Sequence, residues 1–123
     1  MLPTRVQKEP KRASRWKSIA HRDFVRSFAC CMCGSQGPRE AAHVRIGSGA
    51  GMGQKPDDWR VVPLCATVEG CHQHQHQIGE ETFWRLYKER HGQTVEQLLG
   101  EFVKASPRRA EIERVMKERA NAE

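Results

Sequence analysis

Long apolar runs are missing from this sequence. No stretch of 18 apolar residues occurs, and no segment has the charged, apolar and small-residue order of a secretory signal. A membrane span and a secretory route are therefore not expected, and the cytoplasm is the expected compartment. Hydrophobic residues reach only 37% and aromatic ones 7%, with a single tyrosine. A chain of 123 residues built this way is expected to form one small domain with a thin core. Such domains commonly need a metal or disulfides as a staple. An even set of cysteines is also lacking, for there are five. An odd count in a reducing compartment points to metal ligation rather than disulfides. Acidic residues are scarce at one end. Residues 1–29 hold eight Lys and Arg against only Glu9 and Asp23, while the rest holds thirteen of each sign. The net charge of +6 thus sits at the N-terminus, which suits a polyanion such as nucleic acid. The plainer alternative is a solubilising tail.

What is present divides into three parts. Residues 1–14, with Pro3, Pro10, Lys8, Lys11 and Arg12, read as a basic flexible arm. Residues 15–105 carry the motifs, and 106–123 read as a charged C-terminal helix. Trp16, Ile19, Ala20, Phe24, Val25 and Phe28 fit a helical period. "AAHV" is a short candidate strand, and "WRVVPLC" reads as a short buried one. Between them, glycines at 47, 49, 51 and 53 mark a long irregular loop. Phe83, Trp84, Leu86 and Tyr87 predict a helix closed by Gly92. Thr94 and Gln97 form a capping box ahead of a stripe of Val95, Leu98, Leu99, Phe102 and Val103. Ser106 and Pro107 predict the cap and first turn of a last helix over 107–121, with Ile112, Val115 and Met116 as its apolar face.

The cysteines form two clusters. Cys30-x-x-Cys33 followed by Gly34 is a knuckle whose two thiolates can reach one tetrahedral ion. Cys65 and Cys71 can supply the second pair, after a gap of 31 residues. One structural zinc held by Cys30, Cys33, Cys65 and Cys71 is the expectation. Glycine, proline and polar neighbours argue against simple core packing. Cys31 stands outside the knuckle spacing and is read as packing or a free thiol. Five residues separate Cys65 from Cys71, so "ATVEG" either bulges or keeps Cys71 out of the zinc site.

His72, His74 and His76 follow directly. A strand would put all three on one face, whereas a helix pairs His72 with His76 and turns His74 away. Gln73, Gln75 and Gln77 suit an exposed helix and lack strand-favouring side chains. An i, i+4 histidine pair can chelate one divalent ion. His43, between Ala42 and Val44, is either a half-buried histidine or a general base near neutral pH.

The set "C-x-x-C-G … A-H-V … G-M-G-x-K-P-x-D … V-P-L-C … C-H-x-x-x-H-x-x-G-E-x-x-F-W" resembles the HNH endonuclease superfamily. More narrowly, it is similar to small phage and prophage HNH nucleases, including RecA-dependent recombination-enhancement nucleases. The resemblance spans roughly residues 24–86. It implies a small α+β fold, a ββα-metal core with structural zinc, flanked by α-helices. It implies a DNA endonuclease in which His43 is the general base and Asp58 orients it or assists at the metal. His72 would be the last histidine of the signature and, with His76, would bind a catalytic Mg2+ or Mn2+. Arg45, Lys55 and Arg60 are candidate phosphate contacts, beside Lys8, Lys11, Arg12 and Arg15 of the basic N-terminus. The implied setting is a monomer acting on DNA in the cytoplasm, that of the host cell if phage-encoded, with a recombination protein as an implied partner. This sequence departs from many relatives in having Ala42 where an Asp or His metal ligand precedes the base. The competing expectation is a noncatalytic, zinc-stabilised nucleic-acid-binding protein.

Overall fold

The computed structural model describes residues 1–6, 15–50 and 54–122. Most of the expected basic arm, with Lys8, Lys11 and Arg12, therefore lies outside the described residues. The elements are α1 (Ile19–Arg26), β1 (Arg39–His43), β2 (Val61–Cys65), α2 (Cys71–Ile78), α3 (Glu80–His91), α4 (Val95–Ala105) and α5 (Arg109–Asn121). The protein is thus a small α+β fold. Its two strands pair antiparallel, from Arg39 opposite Cys65 to His43 opposite Val61.

All five residues of β2 are buried, because helices cover both of its faces. Val61, Val62 and Leu64 pack with Val25 of α1, Phe83, Trp84 and Tyr87 of α3, and Leu98, Leu99 and Phe102 of α4. Pro63 fits there because β2 lies at an edge of the two-stranded sheet. β1 is different: Glu40 is exposed and only Ala42 is buried. A second, smaller cluster joins Trp16, Trp59, Val103 and Ile112.

The helix expected from Trp16 starts at Ile19 instead. The amides of Trp16 and Ser18 donate to carboxylates far along the chain, at 2.6 Å to Asp57 and 2.8 Å to Asp58. Ser18 then caps α1 by accepting from the His21 amide at 3.1 Å. Trp16, left outside the helix, stacks on Trp59 at 5.6 Å. The last helix also starts later than expected, at Arg109. Ser106 still acts near that start: its hydroxyl accepts from the Arg108 amide and bonds Nδ1 of buried His21 at 2.7 Å. Ile112 faces the core, Val115 partly does, and Met116 is exposed, so the apolar face is narrower than the sequence suggested. The capping box of Thr94 and Gln97 is present in full.

Two features place the site. Arg60 donates to the carbonyls of Val44 and Ile46 and pairs with Glu96 at 2.6 Å, fastening the start of the glycine loop. Gly79, at φ 87°, breaks the path between α2 and α3. That leaves α2 as a separate eight-residue helix carrying the three histidines.

Candidate metal and active-site residues

Cys30, Cys33, Cys65 and Cys71 bring their sulfurs within 4.8 Å of one another. Cys33 and Cys65 are 3.8 Å apart, and the Cys71 amide donates to the Cys65 sulfur at 3.0 Å. Four thiolates about 2.3 Å from one tetrahedral zinc would stand about 3.8 Å apart, so the donor set fits that ion. The knuckle is shaped by a Gly34 amide bond to the Cys30 carbonyl at 2.8 Å and by the positive φ of Gly34. "ATVEG" bulges outward and returns Cys71 to the cluster. Its base is tied by the Ala66 amide to the Pro38 carbonyl, and Gly70 donates back to Thr67. A Cβ on Gly70 would come within 2.8 Å of the Thr67 carbonyl oxygen, so only glycine closes this loop.

Electrostatics favour a cation here. Burial pushes the Cys30 thiol up, but backbone bonds at Cys33, Cys65 and Met32 outweigh it and bring the group down to about 7. Burial, then the Cys65 sulfur, push Cys71 up. Four sulfurs this close cannot all carry charge unless a cation lies among them. Cys31 is outside the cluster and packs against the core, and burial pushes its thiol up. Of the two expectations for it, packing or a free thiol, its place against the core fits packing.

Helix α2 separates the three histidines. His72 and His76 face each other with Nε2 atoms 3.3 Å apart. His74 turns away and meets Phe83 edge-on at 6.1 Å. Two donors about 2.1 Å from one ion at a tetrahedral angle stand about 3.4 Å apart, so the pair has the spacing of a chelate. His72 also bonds Glu40 through Nδ1 at 2.7 Å. Sequence reasoning missed Glu40. The available signal was its place two residues from Ala42, on the same face of β1.

On β1, Glu40 and His43 are three residues apart, so their side chains leave opposite faces. His43 turns toward α1, where its Nε2 lies 2.8 Å from Asp58 Oδ1. Among the described residues, the four cysteines are the one group of three or more ligands close enough for a shared ion. His43 is not brought into a common cluster with His72 and His76. Helix α2 nevertheless follows β1: His72 meets Glu40 at one end, and Glu80, just past the other, accepts from the Arg45 amide at 2.8 Å. His76 lies between these ties.

Asp58 is buried and fully engaged. It pairs with Arg15 at 2.8 Å and Arg22 at 3.2 Å, bonds His43, and accepts from the Ser18 amide. Burial alone would raise its carboxyl, but the Ser18 amide, His43 and the two arginines together hold it below the ordinary value. Asp58 therefore orients His43 and anchors α1, and its oxygens are not open to a metal. The expected phosphate contacts divide. Arg15 is held by Asp58 and Arg60 by Glu96 and two carbonyls, so both serve the fold. Lys55 and Arg45 are both exposed.

The fold and its sites define a small α+β protein with a four-cysteine cluster and a facing histidine pair. A family model described as "Protein of unknown function (DUF968)" matches residues 2–107, and the chain belongs to that family. Neither a curated protein nor a solved structure matches it. No helix among the described residues is long and apolar enough to cross a membrane.

Proposed function

We propose that this protein is a metal-dependent endonuclease of the HNH kind that hydrolyses phosphodiester bonds in DNA. One observation carries the reading: a β1–β2–α2 unit ends β1 in a carboxylate-held His43 and turns the facing pair His72 and His76 along that same strand. Asp58, accepting from Nε2–H of His43, fixes a tautomer in which Nδ1 can take a proton from water. A divalent ion held by His72 and His76 would stabilise the charge developing on the leaving oxygen. In-line displacement needs the base and the leaving-group stabiliser on opposite sides of the phosphorus. For a phosphodiester lying across β1, His43 on one face and an ion at His72 and His76 on the other would be the base and the leaving-group stabiliser. Lys55, exposed at the end of the glycine loop, is a candidate to hold a flanking phosphate. The four cysteines would hold zinc structurally, since no open position is needed there. Mn2+ or Mg2+ is the expected catalytic ion. A phage or prophage setting, a cytoplasmic location and a recombination partner rest on the resemblance alone.

Nicking of supercoiled plasmid tests the reading. Purified protein with Mn2+ or Mg2+ should nick, and His43→Ala should slow nicking by about 100-fold or more. Equal nicking by His43→Ala would sink the mechanism. The second reading, a noncatalytic zinc-stabilised DNA-binding protein, is favoured by the way Asp58 ties His43 into the anchor of α1. Plasmid binding with no nicking under any divalent ion would establish it.

A further inference from the structure

Glu40 lies on β1, outside every motif that drew attention to the histidines. Its Oε2 is 2.7 Å from Nδ1 of His72, and Nε2 of that ring is 3.3 Å from Nε2 of His76. A carboxylate on Nδ1 keeps the proton there and leaves Nε2 as a bare lone pair. It also favours the one ring orientation in which Nε2 faces His76. Beside the pair is an open cavity of about 290 Å³, lined by Ala66, Thr67, Val68, Gln73 and the two rings. An ion held here would keep positions free for water or a substrate oxygen. Two imidazoles favour a nitrogen-accepting ion such as Mn2+, Co2+ or Zn2+ over Mg2+, which prefers oxygen.

We infer that Glu40 is a positioning residue for a two-histidine divalent metal site, aiming Nε2 of His72 beside Nε2 of His76. The inference rests on the reading that His72 and His76 are ion ligands, but it can be tested without DNA cleavage. Glu40 acts through His72 and is not itself a ligand, so the amide variant keeps its role: the oxygen of glutamine still accepts from Nδ1–H.

The experiment uses full-length protein brought to one zinc per chain, with no excess zinc, and titrated with Mn2+, with free Mn2+ followed by its paramagnetic resonance signal. Thermal melts by circular dichroism check the fold of each variant. Wild type should bind one Mn2+, and His76→Ala should not. Glu40→Ala should weaken binding by about 10- to 100-fold, the usual effect of losing such a partner. Glu40→Gln should stay within a few-fold of wild type. Unchanged affinity in Glu40→Ala would overturn the inference. So would a loss in Glu40→Gln as deep as in Glu40→Ala, which would make Glu40 a direct ligand. Mn2+ binding that His76→Ala leaves intact would remove the site itself. The expected affinity order in a protein that nicks no DNA would uphold this inference while the nuclease reading fell.

Discussion

The cysteine cluster and the histidine pair sit at the two ends of one short segment, yet they are built on opposite plans. The cysteines come from three separated parts of the chain and converge beside the core, with Cys30 and Cys65 buried. The histidines come from adjacent turns of one helix and face solvent across an open cavity. The first arrangement ties the fold together, so its loss is felt everywhere. The second asks little of the fold, so its loss is felt only by what binds there. A closed donor set and an open one differ in chemistry for the same reason.

The sharpest way to break this comparison is to remove one cysteine. Cys65→Ser should abolish cooperative unfolding or cost several kcal/mol, because the binding energy of a structural ion is folding energy. Melts with and without a chelator, beside metal analysis giving one zinc per chain, check it. Next in size is Asp58→Ala, which leaves Arg15, Arg22 and the Ser18 amide unanswered. Its partners are partly exposed, so about 3 kcal/mol in urea unfolding is expected rather than more. The carboxyl of Asp58 is held low in the folded state. Its contribution is therefore present above the ordinary carboxylate range and lost as pH falls through the lowered folded value.

A smaller effect belongs to His21. Burial lowers its folded value by more than the charge of Asp58 raises it. The unfolded chain then takes up the proton first. Stability is present above the ordinary histidine value of about 6.5 and declines as pH drops below it. Urea melts at pH 7.5 and 5.5 should show that decline in wild type and a weaker one in His21→Gln. The smallest change in stability is expected from His72→Ala and His76→Ala, within about 0.5 kcal/mol. If either variant unfolds as readily as Cys65→Ser, the contrast between the two centres fails.

Local pattern carried much of this into view. The i, i+4 spacing of His72 and His76 in a glutamine-rich stretch was enough to predict a helix and to dismiss His74. The capping box announced α4, and the paired cysteine clusters announced their own meeting. Contacts between distant residues were hidden. Nothing near Trp16 says that Asp57 and Asp58 will take the amides ahead of α1 and delay its start. Nothing near Arg60 says that Glu96 will claim it, so it looked available to phosphate. Glu40 was hidden for the same reason, since its partner lies 32 positions away. The extra length of "ATVEG" was visible, but its outward path depends on a positive φ at Glu69 and on the crowded Gly70.

That outward loop offers a place for a reporter. Val68, at its tip, is 87% exposed and forms part of the wall beside His72 and His76. The base of the same loop runs directly into Cys71. A non-cysteine fluorophore or nitroxide at position 68 would sense a paramagnetic ion at the histidines by proximity. It would sense loss of zinc at the cysteines by loosening. One label could then follow the filling of both centres in a single titration, provided that Gly70 is left unchanged.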